Sequence, residues 1–238
     1  MIDLSSRRRQ AEWIDAADAD PVLLRKSLAY IRRVNILFGY TRSTLSHFKR
    51  FSVGWKPGET IKVLDVATGS ADIPKAIRRW ATRRKFDVRV VGVDLQSTIA
   101  AEAAASNRDR KIHIVRANAL ALPFADGSFD YAVTSMFLHH LDDDKVVEVL
   151  REMTRVSRRG IIAADLIRNR RAYGWISLFT LLANPMVRHD ARVSVGQAFT
   201  RPEVVSLRDR AGVGFASYHP HFGHRFILAG ERAASVSS

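Results

Sequence analysis

Val63-Leu64-Asp65-Val66-Ala67-Thr68-Gly69-Ser70-Ala71-Asp72-Ile73 is the stretch that decides how the rest of this 238-residue chain is read. The mostly apolar residues after Lys62 fit an inner strand of a parallel sheet. Ala71 to Trp80, with Ile73, Ala76, Ile77 and Trp80 at helical spacing, fits the helix that follows. Between them Gly69 lets a ligand approach the backbone, and the helix start presents unpaired N–H groups. Asp65 stands at the strand end, where a dinucleotide fingerprint would carry its first glycine or an apolar residue. The next strand, Val88 to Val93, closes on Asp94, a carboxylate placed to accept both hydroxyls of a ribose.

Outward from this unit, strand and helix keep alternating. Ser97 is expected to cap a helix from Thr98 to Ala105, and the basic turn at Asn107 to Arg110 leads to a third strand, Ile112 to Val115. Asp126-Gly127 makes a turn before a fourth strand, Phe129 to Thr134. A helix from Asp142 to Val156 follows, with acids at its positive end and Val146, Val149, Leu150 and Met153 as its core stripe. Gly160 ends the connection, and Ile161 to Ala164 make a fifth strand. The pattern implies an α/β fold with a predominantly parallel sheet and helices on both faces. Thr200-Arg201-Pro202-Glu203 is a helix start, and Phe215 to Tyr218 with Arg225 to Ala229 read as a terminal strand pair.

Residues 1 to 58 read as an N-terminal helical cap on a main domain over 59–238. Residues 1 to 19 look like a tail with a short acidic helix around Ala11 to Ala17. Asp20-Pro21 then starts an amphipathic helix ending at Gly39, with Leu24, Leu28, Ile31 and Phe38 on one face and Arg25, Lys26, Arg32 and Arg33 on the other. Such a helix either packs over the sheet domain or lies on a membrane surface as a peripheral contact. A second helix, Thr41 to Phe51, is expected to bury Leu45 and Phe48.

The formal net charge is +14, from 38 Lys plus Arg against 24 Asp plus Glu, which attracts anions. The arginines are scattered over several elements and no RNA-reading motif appears, so a nucleic-acid partner is disfavoured against a small aromatic or amphiphilic substrate. Absence of cysteine removes disulfides and thiolate metal sites and agrees with a cytoplasmic location. No apolar run approaches the ~20 residues that span a bilayer. Nothing in the sequence speaks to the oligomeric state.

At Asp65, Ala67, Gly69 and Ala71 the chain resembles the class I S-adenosylmethionine-dependent methyltransferases, whose first motif is an acid followed by three glycines at alternate positions; here only the middle glycine is kept. A second stretch, Asn118 to Asp130 leading into Tyr131 to Leu141, resembles the adenine-edge loop and fourth strand of the small-molecule branch, which includes the quinone-biosynthesis and phenolic-compound methylases. The resemblance runs from about Ile61 to Leu166. It implies a Rossmann-like fold with a seven-stranded, mostly parallel sheet and an antiparallel terminal strand. It implies S-adenosyl-L-methionine as cofactor, with Asp65 organising the turn and Ala67, Thr68 and Gly69 admitting the amino-acid and ribose portions. Asp94 would hold the ribose, Leu95 and Gln96 would line the adenine, Asn118, Ala119 and Leu120 would meet its edge, and Ser135 and Met136 would follow the fourth strand. In this fold an insertion after the fifth strand lies beside the substrate. The apolar run around Tyr173 and Trp175 then reads as a lid-like wall over about 166–200, with His189 and Phe199 as further substrate contacts. Tyr40 and Arg42 are candidates at the methionine end.

A phenol or enol acceptor needs its proton removed near neutral pH, and His139 and His140 follow the fourth strand, where the acceptor would approach. A structural role for either histidine stands beside that one. His219, His221 and His224 straddle a turn without an acid cluster, so no metal site is expected. The reading is methyl transfer to a small hydrophobic acceptor, foremost the hydroxyl of a phenolic or polyketide-type compound. Carbon methylation of a quinone precursor, RNA methylation and a non-catalytic cofactor-binding protein stay open.

Overall fold

Seven strands form one sheet in the order β3-β2-β1-β4-β5-β7-β6 in the computed structural model, which describes residues 3–15, 20, 22–23, 26–27, 29–30, 39–222 and 224–233. The strands are β1 (Thr60–Val66), β2 (Asp87–Asp94), β3 (Ile112–Arg116), β4 (Phe129–Ser135), β5 (Ser157–Leu166), β6 (Ser217–His221) and β7 (Arg225–Glu231). The first five run parallel, and β7 is antiparallel to both β5 and β6. Helices accompany them at α1 (Tyr40–Phe51), α2 (Asp72–Arg83), α3 (Ser97–Ser106), α4 (Asp143–Val156), α5 (Arg170–Phe179), α6 (Pro185–Gln197) and α7 (Arg201–Arg210).

Adjacent strand residues point to opposite faces, and here both faces are covered, which is why the inner strands read as continuous apolar runs. Val63, Tyr131, Val133 and Ile162 pack beneath Phe48 and Phe51 of α1 and Ile77 and Trp80 of α2. Leu64, Ala132, Ile161 and Ala163 pack beneath Val146, Leu150 and Met153 of α4 and Leu207 of α7. A fully buried side chain such as Ile77 or Leu150 contributes about 1.5–3 kcal/mol. Strand order reverses on either side of β1, so the C-terminal ends of β1 and β4 open a crevice, the place where open α/β sheets bind ligands.

Several boundaries differ from expectation for local reasons. β5 begins at Ser157 and runs through Gly160, where a Cβ would lie 2.2 Å from the Gly230 carbonyl oxygen on β7; this glycine admits a neighbouring backbone instead of ending a connection. Gln96, not Ser97, occupies the N-cap of α3 and makes no side-chain cap bond. Asp142 does cap α4, accepting from the Lys145 N–H at 2.9 Å. The capping box at Thr200 and Glu203 is present. Leu45 is only partly buried, whereas Phe48 is fully so. Pro185–Gln197, which carries no clear apolar stripe, is helical because Asn184 caps it and proline sits in its first turn. β6 starts at Ser217 and continues to His221, and β7 reaches Glu231.

The expected acidic helix near Ala11 is a short 3₁₀ turn, Trp13–Asp15, and residues 16 and 17 lie outside the described residues. In the expected basic helix, Val22, Leu23, Lys26, Ser27, Ala29 and Tyr30 are helical, while Leu24, Arg25, Leu28 and residues 31–38 lie outside the described residues. Among the described residues no helix is long and apolar enough to cross a membrane.

Candidate active site

The turn after β1 is held from both sides. Its Thr68 N–H donates to the Val93 carbonyl at 2.9 Å, and its Gly69 N–H donates to Asp94 Oδ2 at 3.0 Å. The other oxygen of Asp94 accepts the Gln96 N–H at 3.1 Å, so the carboxylate is fixed by two backbone donors at the crevice mouth. Ala67, Gly69 and Ala71 all have positive φ, at 56°, 51° and 57°. The three motif positions therefore take the left-handed backbone that glycine adopts freely and alanine adopts at a cost. Asp65 lies behind the turn, 2% exposed, and accepts from the Thr68 hydroxyl at 2.6 Å. Burial pushes its carboxyl up to about 7, with Asp94 and Asp72 adding to the rise against the Thr68 hydrogen bond. Gly92 on β2 makes room for this pair, since a Cβ there would stand 2.6 Å from Thr68 Oγ1.

A cavity of about 590 Å³ extends from this turn. One end is lined by Ala67, Gly69, Asp94, Leu95, Gln96, Ile99, Asn118, Ala119, Leu120 and Met136, all from the C-terminal edge of the sheet. Asp94 supplies a charged acceptor there, and Leu95, Ile99 and Leu120 supply apolar surface for a flat ring. The Asn118 amide oxygen accepts the Leu120 N–H at 3.0 Å, so this side chain shapes the turn it also presents to the cavity. The other end is walled by Trp175, Ile176 and Thr180 from α5 and the segment after it, by Val187, Ala191 and Val195 of α6, and by Tyr40 at the start of α1. Tyr40 is buried, which pushes its phenol up to about 12.

Three groups from two distant parts of the chain also line the cavity: Glu12, His139 and His140. His139 is fixed by Asp165 at the end of β5, which accepts its backbone N–H at 3.0 Å and meets its Nδ1 at 2.6 Å. The opposite nitrogen, Nε2, faces Glu12 Oε1 at 3.6 Å. Burial works against a charge on His139, but the Asp165 and Glu12 carboxylates outweigh it and lift the imidazole to about 10. Glu12 is itself held by the Ser194 hydroxyl at 2.6 Å, and the His139 and His140 imidazoles keep it below the usual range against the effect of burial. His140 is less buried and packs tilted against His139, with ring centroids 4.2 Å apart.

Glu12 reaches this place because residues 3–15 run along α6. The Trp13 and Ile14 amides donate to the Asp190 carboxylate at 2.8 and 3.0 Å, and the Arg8 amide donates to the Gly196 carbonyl at 3.1 Å. Arg7 forms an ion pair with Asp143 and donates to the Leu141 carbonyl at 2.9 Å, which ties the segment to the histidine loop.

Of the residues expected at the cofactor, Asp65, Thr68 and Ser135 stand off the cavity wall, the first two because they hold each other behind the turn. Of those expected at the substrate, only Trp175 lines the cavity. Phe199 is 1% exposed and packs edge-on to Phe226 in the core, at 5.9 Å between centroids. Tyr173 and His189 line a separate surface groove, where His189 stacks on Trp13 at 4.1 Å. Arg42 is exposed and off the wall. His219 and His221 face His47 on the far side of α1, where burial, with His219 and His221 adding to it, pushes the His47 imidazole down to about 4. The sequence reading missed Glu12 and Asp165. Asp165 ends an apolar strand as Asp65 and Asp94 do, and that is a usable signal; nothing local marks Glu12.

The sheet order, the acid-bearing ends of β1 and β2 and the crevice at the C-terminal edge of the sheet have the arrangement of the Rossmann-like methyltransferase fold. Residues 63–160 match the family described as Methyltransferase domain. The chain is 35% identical over 105 residues to the demethylmenaquinone methyltransferase of Roseiflexus sp. (strain RS-1), covering 44% of this chain and 42% of that one. It thus spans less than half the length of the curated relatives it matches. In structure it is similar to the citrinin polyketide synthase CMeT domain, with a TM-score of 0.68 at 11% identity, covering 93% of this chain and 59% of that one. It is likewise similar to the plantazolicin methyltransferase BamL in complex with a triazolic desmethylPZN analog and SAH, with a TM-score of 0.62 at 15% identity over 87% and 73%. At those identities the structural likeness concerns the fold.

Proposed function

We propose that this chain is an S-adenosylmethionine-dependent methyltransferase acting on a small hydrophobic acceptor, foremost the hydroxyl of a phenolic or polyketide-type compound. The observation that carries this reading is that one cavity is lined both by a carboxylate-bearing turn and by an apolar, tryptophan-bearing wall, with Glu12 and His140 lining it as well. The residues at the turn suit the cofactor: Asp94 accepts hydroxyl donors, the positive-φ turn brings backbone close, and Leu95, Ile99 and Leu120 suit an aromatic base. When bound, S-adenosylmethionine supplies an electrophilic methyl group on a good leaving group. The chain's own work is then alignment, exclusion of water and removal of the acceptor proton. His140 is the group assigned to that proton. His139 is assigned to positioning, because both its ring nitrogens are turned to Asp165 and Glu12 and its side chain is buried.

Carbon methylation of a quinone precursor is the second reading, favoured by the name of the Roseiflexus relative. Calorimetry with S-adenosylhomocysteine, followed by mass spectrometry of products from phenols, hydroxylated polyketide mimics and a short-chain demethylmenaquinone, tests both. A methyl ether product supports the first reading, a ring-methylated product the second. Cofactor binding without any product would sink both in favour of a non-catalytic binding protein.

A further inference from the structure

We propose that Glu12, His139 and His140 together bind one divalent first-row metal ion, of the kind that takes nitrogen and oxygen ligands such as Zn²⁺. Each offers one ligand atom, and these atoms all lie within 4.8 Å of one another on the cavity wall. The His139 Nε2 to Glu12 Oε1 separation is 3.6 Å. Two ligands at Zn–N and Zn–O lengths of ~2.0–2.1 Å stand roughly 3.3 Å apart around a tetrahedral ion, so small side-chain shifts suffice.

Two independent features point to a cation there. Two imidazoles and one carboxylate is a donor set that leaves open positions, and all three residues line the cavity. Asp165 Oδ1 holds His139 Nδ1 at 2.6 Å, the carboxylate support that orients a metal-binding imidazole and fixes the opposite nitrogen as the donor. What the ion does there rests on the methyl-transfer reading; that it binds does not. With His140 as a ligand, the ion would take over from it the activation of the acceptor: a hydroxyl on an open position would lose its proton to water more readily and stay held as an oxyanion.

The test uses the full chain, stripped with chelator, desalted and titrated with Co²⁺ while its visible absorption is followed. Saturation at one ion per chain with ligand-field bands is expected. Glu12→Gln and His140→Ala should each abolish the bands, and Asp165→Asn should weaken binding by ~10–100-fold. Circular dichroism and calorimetry with S-adenosylhomocysteine run alongside report folding and cofactor binding separately. Loss of cofactor binding with the bands intact would count against the methyl-transfer reading alone. No saturable Co²⁺ binding to the folded chain, or binding that Glu12→Gln and His140→Ala leave unchanged, overturns the metal site.

Discussion

Asp94 Oδ2 accepts the Gly69 N–H at 3.0 Å, so the acid that ends β2 also locks the turn that follows β1. Replacing Asp94 therefore removes a ligand acceptor and loosens the turn together. Asp94→Ala is expected to weaken S-adenosylhomocysteine binding beyond the roughly 1.5–3 kcal/mol of one charged hydrogen bond. Asp94→Asn should weaken it less, because the amide oxygen can still accept from Gly69. Calorimetry on both variants checks the ranking; equal losses would show that the turn does not depend on this bond.

Ala67 and Ala71 hold left-handed backbone with φ of 56° and 57°. A non-glycine residue there costs about 1–2 kcal/mol. Ala67→Gly should stabilise the cofactor-free protein by about 1 kcal/mol in a denaturant titration, partly offset by the greater freedom of glycine in the unfolded chain. A destabilised variant would mean that the alanine methyl packs more favourably than its backbone is strained.

Asp65 gives the fold a pH signature. Its folded carboxyl lies at about 7, above the ~3.9 of an unfolded aspartate, so the native state holds the extra proton between those values. Its contribution is present in full below pH ~4, declines as pH rises and is gone above about 7, where its ionised form is tolerated rather than favoured. Relative to Asp65→Asn, the wild-type chain should lose roughly 3–4 kcal/mol across that window. Parallel denaturation curves at pH 5 and pH 8 measure the difference, and parallel pH dependences for the two proteins would contradict it.

His139 and His140 should separate cleanly. His139→Ala removes the imidazole that stands between the buried Asp165 and Glu12 carboxylates, a loss of roughly 3–5 kcal/mol that shows first as a lowered Tm. His140→Ala should keep the Tm and the cofactor affinity and lower kcat by ~10²–10⁴. Unaltered turnover in His140→Ala would remove it from the reaction.

The sheet was readable because its signals are local. Inner strands such as Ile61 to Val66 are apolar runs, α4 carries an apolar stripe behind an aspartate cap, and the acids at 65 and 94 fall at strand ends. The cofactor end of the cavity inherits that clarity, since it is made of turns directly after strands. The acceptor end is assembled from helices whose packing partner decides which face turns inward. Phe199 and Tyr173 look like substrate contacts in one dimension, but Phe199 is drawn into the core by Phe226 and Tyr173 faces an outer groove. Glu12 lay beyond sequence reasoning because the residues that fix it, His139 and Ser194, are more than a hundred positions away.

The arm formed by residues 3–15 carries Glu12 onto the cavity wall, so the proposed chemistry reaches into this segment. Removing residues 3–15 would take the carboxylate away from beside the histidines and open that flank of the cavity to water. Inactivity in such a preparation would speak about its front end, not about the choice of acceptor.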